Sequence, residues 1–291
     1  MPIARSFSTL RRLLIRFSAL ALLAAPLPAL AAVGDWIEGQ HVRMRLVAAH
    51  ATPGAPLEAA IEIELDPGWK TYWRSPGDAG IPPRLDFSGS DNVRDATVAF
   101  PAPERDDDGV SVSNVYHDSV ALPVRFAAGD PAKPARLQLA ADLGVCNDIC
   151  LPVSLALGLD VPAGDVDADA TAVIDAAKAL LPGTGQPGVF DVATLSRIGG
   201  PDTAPEFEAT VATAEPAGSV LFVETPSDWY AAPPSLAEGR EGRATYRFTV
   251  DRKTAAGPLA GATLRLTLAT PDAATTRAFV LGADGPATPL P

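Results

Sequence analysis

The sequence predicts a mainly β chain: two tandem immunoglobulin-like β-sandwich domains with one short helix at the junction. Three observations carry this. Apolar residues alternate with polar ones over many short runs, the period of a half-buried strand. The chain is rich in turn formers, with 29 Pro and 24 Gly among 291 residues, and poor in aromatics. Only one stretch has helical spacing. A length of this order is also more than one core usually serves.

Residues 1–31 are expected to be an export signal. Arg5, Arg11, Arg12 and Arg16 make a basic start, Ala19 to Leu30 is an apolar run, and Ala29-Leu30-Ala31 supplies small residues for cleavage. The run falls short of a membrane span and contains prolines. Loss of the four arginines leaves 19 basic against 35 acidic side chains, a net charge of -16. Such a surface disfavours nucleic acid and anionic lipid as partners.

Domain one is expected over 34–161. Val42, Met44 and Leu46 alternate with His41, Arg43 and Arg45, and Leu57 to Leu65 alternates in the same way. Three aromatics, Trp69, Tyr72 and Trp73, precede a Pro76-Gly77 turn and read as core and strand-edge packing. Further strands are expected near 96–100, 120–127, 136–143 and 153–159, with an acidic loop from Pro101 to Asp118 between them. Seven or so short strands fit a sandwich of immunoglobulin type. Domain two is expected over 165–291, smaller and β-rich. It opens with an amphipathic helix from Asp169 to Leu181, with Pro182-Gly183 after its end. Strands follow near 206–212, 219–224, 244–250, 263–268 and 277–281. Trp229-Tyr230 before Pro233-Pro234 reads as loop aromatics, buried or exposed for docking.

Cys146 and Cys150 are the only cysteines. On a straight strand residues four apart lie roughly 13 Å from each other, whereas a disulfide needs Cα atoms about 4.4–6.8 Å apart. The chain must turn between them if they pair, and Asn147-Asp148 suits a turn. Alternating flanks, Leu137 to Leu143 and Val153 to Leu159, make this strand, turn, strand. In simple register both cysteines fall on the solvent side of the hairpin. The pair is either redox-active, a structural staple of about 2 kcal/mol, or reduced and metal-binding. Two thiols and three scattered histidines (His41, His50, His117) form no recognisable ligand set, and no nucleophile-elbow pattern supports a hydrolase. No cofactor and no metal is expected.

Four phrases occur in one order: Gly68-Trp69-Lys70-Thr71-Tyr72-Trp73 with Pro76 to Gly80, Phe100-Pro101-Ala102-Pro103, Tyr116 through Val124, and Cys146 to Pro152. Together they resemble the periplasmic N-terminal domain of the DsbD and ScsB type of thiol:disulfide interchange protein. The resemblance implies an immunoglobulin-like redox domain in the periplasm whose catalytic pair is Cys146 and Cys150, the second attacking and the first resolving. It implies thioredoxin-like partners such as a disulfide isomerase, and a separate transmembrane electron donor, since these 291 residues include neither a membrane domain nor a thioredoxin domain. Glu104 to Tyr116 stands in the place of the cap loop, with Asp108, Gly109, Val110 and Tyr116 as its members. Tyr72 stands where the family places aromatics near the site. The cap-loop aromatic of the best-known members has no counterpart, Gly109 and Val110 standing near its place. The segment between the cysteines is also shorter. The rival readings are a non-catalytic periplasmic binding module with a structural disulfide and, less favoured, a copper carrier.

Overall fold

The computed structural model describes residues 33–50, 52, 54–127, 129–164, 166–252 and 257–290. The export signal expected over 1–31 lies outside the described residues. No helix among them is long and apolar enough to cross a membrane.

The first sandwich is built from β1 (Ile37–Glu38), β2 (Val42–His50), β3 (Leu57–Leu65), β4 (Lys70–Gly77), β5 (Arg84–Asp86), β6 (Arg94–Val98), β7 (Glu104–Asp107), β8 (Val112–His117), β9 (Ser119–Ala127), β10 (Ala135–Cys146) and β11 (Cys150–Val161). One antiparallel sheet runs β1-β2-β3-β9-β6; the other runs β11-β10-β4-β8-β7, with β5 also against β10. The inward positions of both, among them Leu46, Ile61, Ile63, Leu122, Leu137 and Leu139, close one core. Strict alternation in Leu137, Leu139, Ala141 and Leu143 is what turns that face of β10 inward.

Segment 101–118, read from sequence as a loop, is largely the β7–β8 hairpin. Residues 104–107 pair with 112–115, so the ladder satisfies backbone that a loop would leave open. The Asp108 carboxylate closes its turn by accepting the N–H groups of Val110 and Ser111 at 2.8 and 2.7 Å, and these bonds hold its pKa below the usual range.

The helix α1 (Ala168–Ala179) is capped by Asp167, two residues before the acidic residue expected near its start; the Asp167 side chain accepts the Ala170 N–H. Its buried stripe, Ala170, Ile174 and Ala177, covers Val47, Ala49 and Ala60 on the outer face of the β2–β3 sheet. Lys178 adds an ion pair to Glu58. The helix therefore seals the first sandwich before the chain enters the second.

The second sandwich contains β12 (Asp191–Gly199), β13 (Glu206–Ala212), β14 (Val220–Glu224), β15 (Tyr230–Ala231), β16 (Ser235–Arg240), β17 (Arg243–Asp251), β18 (Thr263–Ala269), β19 (Ala274–Val280) and β20 (Thr288–Pro289). One sheet runs β12-β13-β17-β15 with β16 also on β17, the other β14-β18-β19-β20. β12 and β16 were not visible in the pattern: β12 carries register shifts against β13, and β16 is exposed throughout, so neither shows clean alternation. In β14 every position from Val220 to Val223 is apolar, the mark of a strand covered on both faces. Leu221 and Val223 enter the second core, while Val220 and Phe222 join the core of the first sandwich. Phe222 is 1% exposed and meets Trp73 edge-on at 5.8 Å; the Arg105 guanidinium lies 5.1 Å over its ring.

Phe222 thus belongs to two units at once. Phe222→Ala should cost about 3–5 kcal/mol and, unlike a change within one core, should separate the unfolding of the two sandwiches. Guanidinium unfolding followed by tryptophan fluorescence checks this: the unaltered chain should give one transition and the variant two.

Candidate functional site

The cysteines close the tip of the longest hairpin. β10 and β11 pair in unbroken register from Ala135↔Val161 to Cys146↔Cys150. The three residues between them form the turn, in which the Asn147 N–H donates to the Ile149 carbonyl at 3.0 Å. This turn brings the two Cα atoms to 4.1 Å, and the sulfurs are joined as a disulfide.

The expectation that both cysteines face solvent is corrected. Cys146 is 0% exposed and forms a small apolar cluster with Tyr72 and Val115, whereas Cys150 is exposed. At this end of the sheet the outer face of β10 is covered, because Gly144 has no side chain. A Cβ there would stand 2.8 Å from Ile81 Cβ and 3.0 Å from Tyr72 Cδ2. Gly80 meets the other edge of the same ring, where a Cβ would lie 2.7 Å from Tyr72 Cδ1. The phenol is therefore held between two glycines, and its hydroxyl reaches Cys150 Sγ at 3.3 Å. A disulfide sulfur has no proton, so the phenol is the donor.

Burial raises the Tyr72 pKa above its usual value; Lys70 opposes the shift, and Asp106 and Asp108 add to it. Lys70 is held in an ion pair with Asp106. The hydroxyl consequently keeps its proton throughout the physiological range. Thr71 fixes the same strand by donating to the Gly144 carbonyl at 2.9 Å. Beyond the turn, Trp69 stacks on His41 with ring centroids 3.8 Å apart, and Ile149 projects from the tip, 62% exposed.

The residues expected to form the cap loop take different positions. Asp108 and Gly109 form the exposed turn of the β7–β8 hairpin, and Val110 is 95% exposed, so its side chain shields nothing. Tyr116 lies on the opposite face of β8 from Val115. It is buried in the core of the sandwich and donates to the Pro101 carbonyl at 2.7 Å. What covers Cys146 is Tyr72 and Val115, with the Gly80-Ile81 segment outside them. The sequence reading missed Val115, Gly80, Ile81 and Gly144; a glycine inside a strand two residues from a cysteine signals such a close approach. Asp142, four residues before Cys146, accepts the Ser154 hydroxyl at 2.6 Å. Among the described residues no three His, Cys, Asp or Glu side chains are grouped to hold a metal ion.

Residues 43–157 match the family model for the N-terminal region of the thiol:disulfide interchange protein DsbD. That match spans most of the cysteine-bearing sandwich. The DsbD N-terminal family model includes β10, β11 up to Leu157 and both cysteines. A similar solved structure is the N-terminal periplasmic domain of ScsB from Proteus mirabilis, with a TM-score of 0.69 over 87% of this chain and 99% of that one. At 20% identity that likeness speaks for the fold, and its coverage includes the second sandwich as well as the DsbD-type one. No curated protein matches the chain.

If the missing side chain of Gly144 is what admits Tyr72, then Gly144→Ala should destabilise the oxidised protein by about 1–3 kcal/mol through overpacking. Gly158→Ala, where the nearest atom to a Cβ is 3.9 Å away, should cost less. Chemical denaturation of the two variants makes the comparison.

Proposed function

We propose that the chain is an exported thiol:disulfide interchange protein that passes reducing equivalents through Cys146 and Cys150 to periplasmic partner proteins. In this reading residues 1–31 are the export signal, 34–161 the redox domain and 165–291 a second, smaller β-rich domain. The observation that carries it is the asymmetry of the pair: one sulfur-bearing residue is sealed under Tyr72 and Val115, the other is open at the tip of a hairpin. A staple has no need of such a division, whereas exchange requires one accessible sulfur and one protected resolving partner.

The chemistry follows from that division. A thiolate of an upstream dithiol attacks Cys150 Sγ in line with the disulfide; the Cys146–Cys150 bond breaks, and Cys146 leaves as a thiolate that takes up a proton. The second upstream thiolate then displaces Cys150, so the pair has gained two electrons and two protons. In the delivering half, the Cys150 thiolate attacks a client disulfide and releases one client thiolate. Deprotonated Cys146 attacks Cys150 Sγ in the mixed disulfide, restoring the pair and freeing the second client thiolate. Tyr72 assists at Cys150 in both directions, because an O–H donor stabilises the thiolate that forms or attacks there. The partners are thioredoxin-like proteins on the client side and a separate transmembrane donor upstream. Ile149, exposed between the cysteines, would meet either one first.

Cys146→Ala should trap such partners, since the mixed disulfide at Cys150 then has no resolving thiol. Affinity capture from a periplasmic extract under non-reducing conditions should yield covalent complexes with a thioredoxin-like or membrane protein, released by dithiothreitol. Cys150→Ala should give many fewer. Equal yields from both variants, or none from either, would refute the assignment.

A further inference from the structure

The second sandwich has no cysteine, yet it grips the strand that serves Cys150. β4 sends Tyr72 to the disulfide. The next two residues go to the second sandwich: Trp73 to Phe222, and Arg74 to Glu224 through two bonds of 2.5 and 2.9 Å. The Arg74–Glu224 pair is half-buried, bidentate and reinforced by the guanidinium lying over Trp73 and Phe100. A second tie lies just past the strand. Asp78 accepts the Tyr230 hydroxyl with one carboxylate oxygen and the Val112 N–H with the other. Asp78 is two residues from Gly80, the glycine that bounds the Tyr72 ring. Arg105 completes the seam by donating to the carbonyls of Leu221 and Pro234.

These contacts are costly to make. Desolvation lowers the Arg105 pKa, and its Nε has no partner. Two of the polar ties end on Arg74 and Asp78, both shortly after Tyr72 in sequence, and Asp78 leads directly to the Gly80 that bounds the Tyr72 ring.

We propose that the second sandwich is a positioning element for the exchange site: through Arg74–Glu224 and Tyr230–Asp78 it fixes the Tyr72 hydroxyl on Cys150. Tyr72, Glu224 and Tyr230 act as one unit, with Tyr72 touching the sulfur and the other two acting through it. The inference rests on the exchange reading for its purpose, but the placement itself is tested on the thiol alone. It also accounts for what the second sandwich does without chemistry of its own.

The test uses the full chain carrying Cys146→Ala, in which Cys150 is the lone thiol and no exchange is required. The rate of iodoacetamide alkylation is followed against pH, and its midpoint reports the Cys150 thiol. Tyr72→Phe removes the donor and should raise the midpoint by about one pH unit, a tenfold loss of thiolate near neutrality. Tyr230→Phe with Glu224→Gln leaves Tyr72 in the chain and should still produce at least about a threefold loss. Added to Tyr72→Phe, the same two changes should move the midpoint no further, within about twofold. The proposal is overturned if Tyr230→Phe with Glu224→Gln leaves the midpoint in place, or if its effect adds in full to that of Tyr72→Phe. A circular-dichroism melt of each variant confirms that the thiol being read sits in a folded chain. Single Tyr230→Phe, which loses one oxygen atom, serves if the double change does not fold. Failure to capture partners through Cys150 would defeat the exchange reading and leave this result readable.

Discussion

Tyr72 can rest on the disulfide only because Gly144 and Gly80 have no side chains. The ring fills the space that two Cβ atoms would occupy, and with Val115 it seals Cys146 while leaving Cys150 at the edge. The rest of the site depends on this one piece of packing. A larger residue at either glycine would lift the phenol, open Cys146 to solvent and make the two sulfurs alike. The hairpin sets the spacing of the cysteines; the ring gives them different exposure.

Much of the scaffold was legible. Alternation over 42–46, 57–65 and 137–143 gave strands because one face of each is core and the other is not, and the turn at Asn147-Asp148 followed from its residue types between two alternating flanks. The β7–β8 hairpin was hidden because Glu104 to Asp107 is charged throughout and lies at the sheet edge, where burial imposes no period. Parity misled at Cys146 for a related reason: it assumes that the outer face of a sheet is wet, and a tyrosine from a neighbouring strand covers it here. That cover arises between Tyr72 and Gly144, far apart in sequence, so no local pattern could report it. Asp108, Gly109 and Val110, expected as a cap loop, form an exposed hairpin tip.

The second sandwich follows the same logic. Val220 to Val223 is apolar on both sides because β14 belongs to two cores. Trp229-Tyr230, ambiguous in sequence between buried and docking roles, is divided between them: Trp229 packs on its own core under Arg252, and Tyr230 reaches across to Asp78. A chain with one pair of cysteines thus spends about a third of its length on a second sandwich that carries no thiol, and the contacts of that sandwich lead back to the strand beside the sulfur.

The measurement that bears most directly on the account is the reduction potential of the Cys146/Cys150 couple, obtained by equilibrating the oxidised protein in glutathione or dithiothreitol buffers and counting free thiols. A pair built for exchange should titrate within the range of periplasmic exchange proteins, roughly -270 to -120 mV. A potential below about -300 mV would mean a structural cross-link, and the asymmetric burial of the two cysteines would then be packing without chemistry.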